Sequence, residues 1–226
     1  MEKYGTVPPR FTKGWWDWFF EYYKLHVLAA AFVLCITGIT IYQVATKVNY
    51  DITVTYIGSS TPNEQQQNEI SEKLAEVIPD VNGNGKKQVF FQILTSPNSE
   101  AKNTDAQYTM AIETKKMVEL QVGEAFMFIT DKEQIDTWYA QGMEDIFSDA
   151  DEWLDEENKS LERCEGKGEK CFVKIPVDNI MTDAGFAAGE ELYVAVRDMR
   201  EKEDTEEKKA TQKASFDAAN YILKTR

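Results

Sequence analysis

Residues 25–46 have the sequence LHVLAAAFVLCITGITIYQVAT, a run of 22 residues without a charged side chain. An α-helix rises about 1.5 Å per residue, so a helix of this length can cross a hydrocarbon core of about 30 Å. The run is too apolar and too long for an ordinary surface helix. It therefore predicts a single-pass transmembrane helix over residues 25–46, with the lipid bilayer as the partner of that segment.

Basic residues on the two sides indicate the orientation of the predicted span. Four Lys or Arg residues precede it, whereas Lys47 is the only basic residue after it until Lys73. Because basic flanks are retained in the cytoplasm, we expect residues 1–24 inside the cell and the chain beyond the span outside it. A cleaved signal peptide is the competing interpretation, but its apolar core would be about 7–15 residues long. The longer run favours an uncleaved anchor in the cell membrane.

Aromatic side chains crowd the approach to the span. Residues 14–24 are GWWDWFFEYYK, and seven of these eleven residues are Trp, Tyr or Phe. Amphipathic rings favour the headgroup layer of a bilayer, where one end of the ring is dry and the other is wet. We therefore expect residues 1–24 to form a cytoplasmic segment with an interfacial aromatic anchor.

The chain after the span is strongly acidic. Residues 48–226 contain 20 Lys and Arg against 36 Asp and Glu, which leaves a net charge of −16. Such a surface argues against nucleic acid, which requires a basic face, and against docking on anionic lipid. The length suits one ordinary domain with a proper core. The composition therefore predicts one extracytoplasmic domain over residues 49–226 without a nucleic-acid partner.

Histidine occurs once, at His26 beside the start of the span. The domain after the span therefore lacks the imidazole of a Ser-His-Asp triad, a Cys-His pair or a His-ligated zinc site. A hydrolase that uses a pair of carboxylates stays open as a minor alternative, because acidic residues are abundant. We expect a non-enzymatic domain without a cofactor.

Strand and helix patterns alternate in the first part of the domain. Apolar periodicity and turn residues predict three strand–helix pairs, with strands at 51–57, 89–94 and 125–129 and helices at 61–78, 104–122 and 132–141. A β-α-β-α-β-α order is typical of a parallel sheet with helices on its faces. The sequence thus predicts a three-layer α/β domain with a mainly parallel sheet.

Two helices of this part carry more detailed expectations. Thr61 has a carboxylate three residues later, the spacing of a capping box, so we expect Thr61 to begin its helix. The next helix is expected to bury an apolar side that includes Met110, Met117, Val118 and Leu120.

The rest of the domain is less regular. The patterns predict a carboxylate-rich helical segment, two strands, a charged linker and a closing helix, at 149–162, 171–177, 192–196, 201–209 and 211–223 respectively. The linker and the acidic segment are expected to be solvated surfaces.

Hydroxyl and carboxylate side chains follow the predicted parallel strands. In α/β folds, ligands bind beyond the carboxyl ends of the strands. The candidate ligand-binding residues at those ends are Ser59, Ser60, Ser96 and Asp131. The same side chains are suited to cap the helices that follow, and capping is the favoured interpretation.

Residues 80–86, DVNGNGK, resemble the opening of a calcium-binding loop. Asp80, Asn82 and Asn84 take the first, third and fifth positions, where such loops place oxygen ligands. The twelfth position is Phe91, where a calcium loop has a carboxylate. A turn rich in Gly and Asn is the favoured interpretation, and weak calcium binding is the alternative.

Two cysteines of the domain, Cys164 and Cys171, flank six residues. In the oxidising environment outside the cell, this spacing could close a disulfide across a hairpin. Two unpaired thiols are the alternative, because spacing alone does not determine geometry. Both interpretations are open.

Three stretches carry a family resemblance: YDITVTYIG at 50–58, QVGEAFMFITDKEQIDTWYAQGMEDIFSD at 121–149 and GEELYVAVRD at 189–198. They resemble the opening strand, a helix–strand segment and a return strand in the first lobe of extracellular solute-binding proteins of bacterial ABC importers. The resemblance implies a single α/β lobe within residues 49–200 and a binding role rather than catalysis. The chain also resembles uncharacterised single-pass bacterial membrane proteins that have a YYK approach and a DVNGDGK-like turn.

These features together predict a membrane-anchored extracytoplasmic binding or interaction domain, accessory to a transporter or to a surface assembly. Its partner would be a small solute or a membrane protein. The alternative is a structural platform that binds proteins and takes no small-molecule ligand.

Overall fold

The computed structural model describes residues 8–95, 106–186, 189–200 and 204–224. The chain divides into two compact units, Met1–Val48 and Asn49–Arg226. The first unit contains one long helix, and the second contains a five-stranded sheet with its helices.

Helix α1 of the first unit is Lys13–Thr46. Thr12 caps it, since the Thr12 hydroxyl accepts a backbone N–H of the first turn. Further along, the hydroxyls of Thr37 and Thr40 donate to carbonyls one turn earlier, which satisfies them within the helix. The part Tyr23–Thr46 is long and apolar enough to cross a membrane. The apolar helix expected from the sequence is therefore present.

Aromatic rings stack along the first turns of α1. The rings of Trp15, Phe19 and Tyr23 follow one another at four-residue spacing, with centroid separations of 5.3 and 5.4 Å. A second row contains Trp16 and Phe20, whose centroids are 6.0 Å apart. Residues four apart lie on one face of a helix, so the aromatic segment forms two continuous ring surfaces.

The second unit contains strands and helices in alternating order. In the chain order of the described residues they are β1 Ile52–Ile57, α2 Glu64–Val77, β2 Val89–Ile93, α3 Ala106–Val122, β3 Met127–Asp131, α4 Lys132–Ala140, α5 Ala150–Trp153, β4 Val173–Lys174, α6 Ile180–Asp183, β5 Leu192–Val196 and α7 Glu206–Leu223. Single 3₁₀ turns occur at Glu144–Ile146 and Gly166–Lys170.

The five strands form one sheet in the order β2-β1-β3-β5-β4. Strand β1 pairs in parallel with both β2 and β3, so that Val54 lies opposite Phe91 on one side and Met127 on the other. Strand β5 runs antiparallel to β3 and to β4. The predicted α/β class with a mostly parallel sheet is confirmed.

Buried side chains form two hydrophobic clusters. One contains Val54 of β1 together with Leu74 of α2 and Ala218 of α7. The other contains Leu120 of α3 and Trp138 of α4. Strand residues alternate between the two clusters because successive side chains point to opposite faces of a sheet. Burying one large apolar side chain stabilises the fold by about 1.5–3 kcal/mol.

The start of α2 differs from the prediction. Asn63, rather than Thr61, is the N-cap, because its side chain accepts the N–H of Gln66 at 2.9 Å. The Gln66 side chain in return accepts the N–H of Asn63, also at 2.9 Å. This reciprocal pair satisfies two backbone donors at once and places the cap two residues later than expected.

The predicted helical segment at 149–162 is wrong beyond its first turn. Helix α5 ends at Trp153, and the chain that follows is held by Asn220 of α7 instead. The Asn220 amide donates to the Trp153 carbonyl at 2.7 Å and accepts the N–H of Asp155 at 2.8 Å. Asn158 also donates to Asn220, at 2.9 Å. These tertiary hydrogen bonds replace the backbone bonds of a longer helix.

Two boundaries also differ. Strand β3 is Met127–Asp131 and so begins and ends two residues later than the predicted 125–129, since its pairing with β5 extends to Asp131. The predicted charged linker at 201–209 is partly helical, because Thr205 caps α7 by accepting the N–H of Lys208 at 3.2 Å.

Candidate functional site

The carboxyl ends of β1 and β3 lie side by side at one end of the sheet, where these strands finish. We call this end of the sheet the strand-end edge. Antiparallel β5 begins at this edge, because Leu192 lies opposite Asp131. The residues just before β5 therefore join the loops that follow β1 and β3. This is the edge where α/β folds place ligands.

Ser60 is engaged from three directions at the strand-end edge. Its N–H donates to the Tyr56 hydroxyl at 3.1 Å, and its carbonyl accepts the Thr95 hydroxyl at 3.2 Å. Its own hydroxyl donates to the Glu190 carboxylate. The polar groups at this edge thus satisfy part of one another's hydrogen-bonding capacity.

Tyr56 lies beneath this network. Its side chain is fully buried, and its ring packs edge-on against Phe186 with centroids 4.9 Å apart. Burial raises the Tyr56 pKa well above its usual value, and the charges of Glu190 and Asp131 act in the same direction. Its hydroxyl therefore stays protonated and serves as a hydrogen-bonding group.

Asp131 caps α4. One of its carboxylate oxygens accepts the N–H of Gln134 at 2.9 Å, which satisfies a backbone donor of the first turn. Ser59 is exposed in the turn after β1, and Ser96 lies outside the described residues. Of the predicted ligand-binding residues, the structure therefore brings Ser60 and Asp131 to the same edge, each engaged in hydrogen bonds within the protein.

The two domain cysteines are buried free thiols in the structure. Cys171 points its sulfur at the Phe147 carbonyl, 3.5 Å away. The Cys164 sulfur lies 3.8 Å from the Lys132 ammonium, which donates to the Glu165 carbonyl. Burial raises the pKa of both thiols, so neither is an activated nucleophile.

Asp80, Asn82 and Asn84 form a tight turn between α2 and β2. Each side chain accepts a backbone N–H within the turn. Within the described ranges, no three His, Cys, Asp or Glu side chains cluster as a metal-binding group. Any cation site in this turn would therefore combine the single carboxylate of Asp80 with asparagine and backbone oxygens.

The exposed side of α3 is a feature that the sequence interpretation missed. Tyr108, Ala111, Lys115, Val118 and Val122 follow one another at alternating spacings of three and four residues, and all five are exposed. We call them the α3 stripe. Residues at such spacing lie along one side of a helix, and four of these five are Tyr, Ala or Val.

The expected buried side of α3 is partly wrong. Met110 and Val118 are 74% and 49% exposed, whereas Leu120 is buried and Met117 is half-buried. Residues two apart on a helix are about 200° apart, so Val118 and Leu120 cannot share a face. The sequence shows the spacing of three and four residues. It does not show which side of α3 packs against the sheet.

A cavity of about 490 Å³ lies next to α3. It is at the end of the sheet where β5 finishes, opposite the strand-end edge. Most of the surface that faces this cavity is apolar, and Met117, Met143 and Met199 contribute to it. Buried Arg197 forms part of the wall and donates to the carbonyls of Ala125 and Gly123, each at 3.1 Å. The volume falls in the range of small-molecule sites.

The fold and its surfaces are therefore the basis for assigning a function. Ser60 and Asp131, two of the residues expected to bind a ligand, make hydrogen bonds within the protein, and exposed apolar side chains lie on α3. Comparison of the chain with protein-family models, with curated proteins and with solved structures finds no match.

Proposed function

We propose that the chain is a membrane-anchored extracytoplasmic domain that binds a protein partner through the α3 stripe. The observation that carries this proposal is the exposure of apolar side chains at helical spacing: Tyr108, Val118 and Val122 are 55%, 49% and 66% exposed. An exposed apolar seam on a helix is the usual contact of helix-in-groove and helix–helix recognition.

The charge distribution of the stripe favours a protein over lipid. Lys115 interrupts the seam at its centre, and Glu119 lies beside it on the same helix. Glu119 and the net charge of −16 on residues 48–226 disfavour docking on an anionic membrane surface. A partner helix or groove with apolar side chains and a facing carboxylate would match the seam.

The anchoring part of the proposal rests on α1. Its apolar part is long enough to span a bilayer, and the stacked aromatic rings precede it. The basic bias of the preceding residues supports an N-terminus in the cytoplasm and the domain outside a cell membrane. The chain would then be a single-pass protein, accessory to a transporter or a surface assembly of a bacterial cell.

The architecture is compatible with a three-layer lobe related to solute-binding proteins. Helices α2 and α7 contribute to one hydrophobic cluster, and α3 and α4 contribute to the other. The internal hydrogen bonds of Ser60 and Asp131 favour a role in protein binding over solute capture at the strand-end edge. A non-enzymatic role agrees with a domain that contains no histidine.

The cavity next to α3 favours a second candidate function, the binding of a small solute. Methionines adapt to irregular apolar ligands, and arginine side chains at the wall supply polar contacts. A solute that enters this cavity would raise the melting temperature of the full chain in detergent micelles. Replacement of Gln121, which lines the cavity, by Trp should abolish that rise.

A photo-crosslinking experiment tests the α3 stripe. A photo-activatable phenylalanine analogue at Val118 of the full chain, irradiated in its own membrane, should give a discrete adduct with a protein. The matched control carries the analogue at Glu72, an exposed residue of α2. Adding Val122→Asp to the Val118 variant should abolish the adduct, since a carboxylate cannot be buried unpaired in an apolar contact.

The adduct mass identifies the partner class. An adduct of twice the chain mass would assign the stripe to a second copy, and another discrete mass would assign it to a different protein. No adduct at Val118, or the same adducts at Val118 and Glu72, would contradict the proposal.

A further inference from the structure

The turn between α2 and β2 has the internal hydrogen bonds of a preformed cation loop. The Asp80 carboxylate accepts the N–H of Gly85 through Oδ2 at 2.8 Å. Asn82 accepts the N–H of Asn84 at 3.0 Å, and Asn84 accepts the N–H of Lys86 at 2.8 Å. These bonds hold the three side chains in place before any ion arrives.

One oxygen of this turn has no partner. Among the described residues, Asp80 Oδ1 is buried and accepts no hydrogen bond. Of the four buried side-chain atoms that share this condition, it is the only one on a carboxylate. A buried carboxylate oxygen without a donor costs free energy, and a cation would remove that cost. The residues from Gly83 to Lys87 are exposed, so an ion can reach the turn from solvent.

We propose that this turn binds one divalent cation, and that the cation is calcium. The ligands would be Asp80 Oδ1, the side-chain oxygens of Asn82 and Asn84, and the Lys86 carbonyl. They occupy positions one, three, five and seven of a calcium loop. Each asparagine oxygen has a second lone pair beyond the one that accepts the backbone N–H.

The backbone of the turn supports this assignment. Gly85 takes position six, where calcium loops need a residue that tolerates a sharp turn, and its φ is 79°. Asp51 at the start of the domain closes the base of the turn. Its carboxylate accepts the N–H groups of Val81 at 2.8 Å, Asn82 at 3.1 Å and Gln88 at 2.8 Å.

The ligand set points to calcium at extracellular concentrations. Calcium accepts neutral oxygen ligands in flexible geometry, whereas magnesium requires a nearly ideal octahedron and releases its water reluctantly. Phe91 stands where a calcium loop has its bidentate carboxylate, so the site carries only the charge of Asp80 among its side-chain ligands. Such a site is expected to bind with a Kd of about 0.1–1 mM, the range of extracellular calcium modules.

Calorimetric titration of the full chain in micelles, freed of metal by a chelator, tests this site. Calcium chloride should bind with a stoichiometry of one, and magnesium chloride should bind more weakly. Asp80→Asn retains an oxygen for the Gly85 N–H but loses the charge, and should weaken calcium binding by more than about tenfold. Asp178→Asn, a change of the same chemistry at an exposed site, should leave binding unchanged.

A gain-of-function variant keeps the test independent of folding. Asn84→Asp adds a carboxylate at position five and should tighten calcium binding by about tenfold. If neither the wild type nor Asn84→Asp binds calcium in saturable fashion, the proposal is wrong. Equal binding by the wild type and Asp80→Asn would also overturn it, because the ion would then sit elsewhere on the acidic surface. The result of this titration does not depend on whether the α3 stripe binds a protein.

Discussion

Tyr56 shows how single residues close the strand-end edge. Its buried hydroxyl accepts the N–H of Ser60, and the raised pKa keeps that hydroxyl neutral over the physiological range. A neutral phenol held by a backbone donor is a structural element and not a base or a nucleophile. Tyr56 therefore supports the packing of this edge.

Gly58 provides the most direct test of this packing. A Cβ at Gly58 would overlap the Tyr56 hydroxyl and would lie 2.6 Å from its ring carbon Cζ. Gly58→Ala should therefore destabilise the domain by about 1–3 kcal/mol, as overpacking does, measured by denaturant unfolding of the full chain. Ser59→Ala, an exposed change in the same turn, should stay within about 0.5 kcal/mol. Equal effects of the two changes would show that the turn is not packed as described.

The sequence allowed part of this edge to be predicted. Asp131 ends a predicted strand and precedes a predicted helix, so capping was its favoured interpretation, and the structure has that contact. Glu190 could not be found in the same way. It is 130 residues from Ser60 in the chain and reaches it only because β5 runs antiparallel to β3. Local sequence patterns do not predict a contact between residues so far apart in the chain.

At the scale of elements, helix α3 shows what periodicity leaves open. Apolar residues lie all around it, so more than one side is compatible with a core. Lys116 lies on the buried side, where its ammonium contacts Glu113 at 2.9 Å and Gln134 at 3.4 Å. A lysine is rarely buried, so the sequence did not indicate that this side packs against the core, and the predicted side was right for Leu120 but wrong for Met110 and Val118.

Matched truncations on α3 test which side is buried. Leu120→Ala should lower the free energy of unfolding by about 2–5 kcal/mol, because it leaves a cavity in the core. Val118→Ala should change it by less than about 0.5 kcal/mol, because Val118 belongs to the exposed stripe. Thermal unfolding of the two variants in micelles measures the difference. A larger loss from Val118→Ala would reverse the assignment of faces.

The strands were easier to predict than their directions. Apolar runs located all five strands to within a few residues, and the alternation with helices indicated the parallel arrangement of β1, β2 and β3. The antiparallel placement of β5 depends on long-range pairing and was not visible. The end of α5 likewise depends on Asn220, which is 67 residues beyond Trp153.

At the scale of the whole molecule, the chain combines an apolar helix with an acidic α/β domain. Residues 48–226 carry a net charge of −16 and are suited to water. The apolar residues at 25–46 are suited to the hydrocarbon core of a bilayer. The proposed membrane anchor with an extracytoplasmic interaction domain would account for both. It also gives the proposed calcium site an environment in which weak binding is sufficient.

Labelling of introduced cysteines on spheroplasts tests this central claim. Glu72→Cys and Arg10→Cys place exposed thiols on opposite sides of α1 in the chain. The wild type provides a low background, because Cys35 lies in the apolar helix and the other two thiols are buried. With a membrane-impermeant maleimide, Glu72→Cys should be labelled on intact spheroplasts and Arg10→Cys only after lysis. Labelling of Arg10→Cys but not Glu72→Cys, or of both only after lysis, would contradict the account.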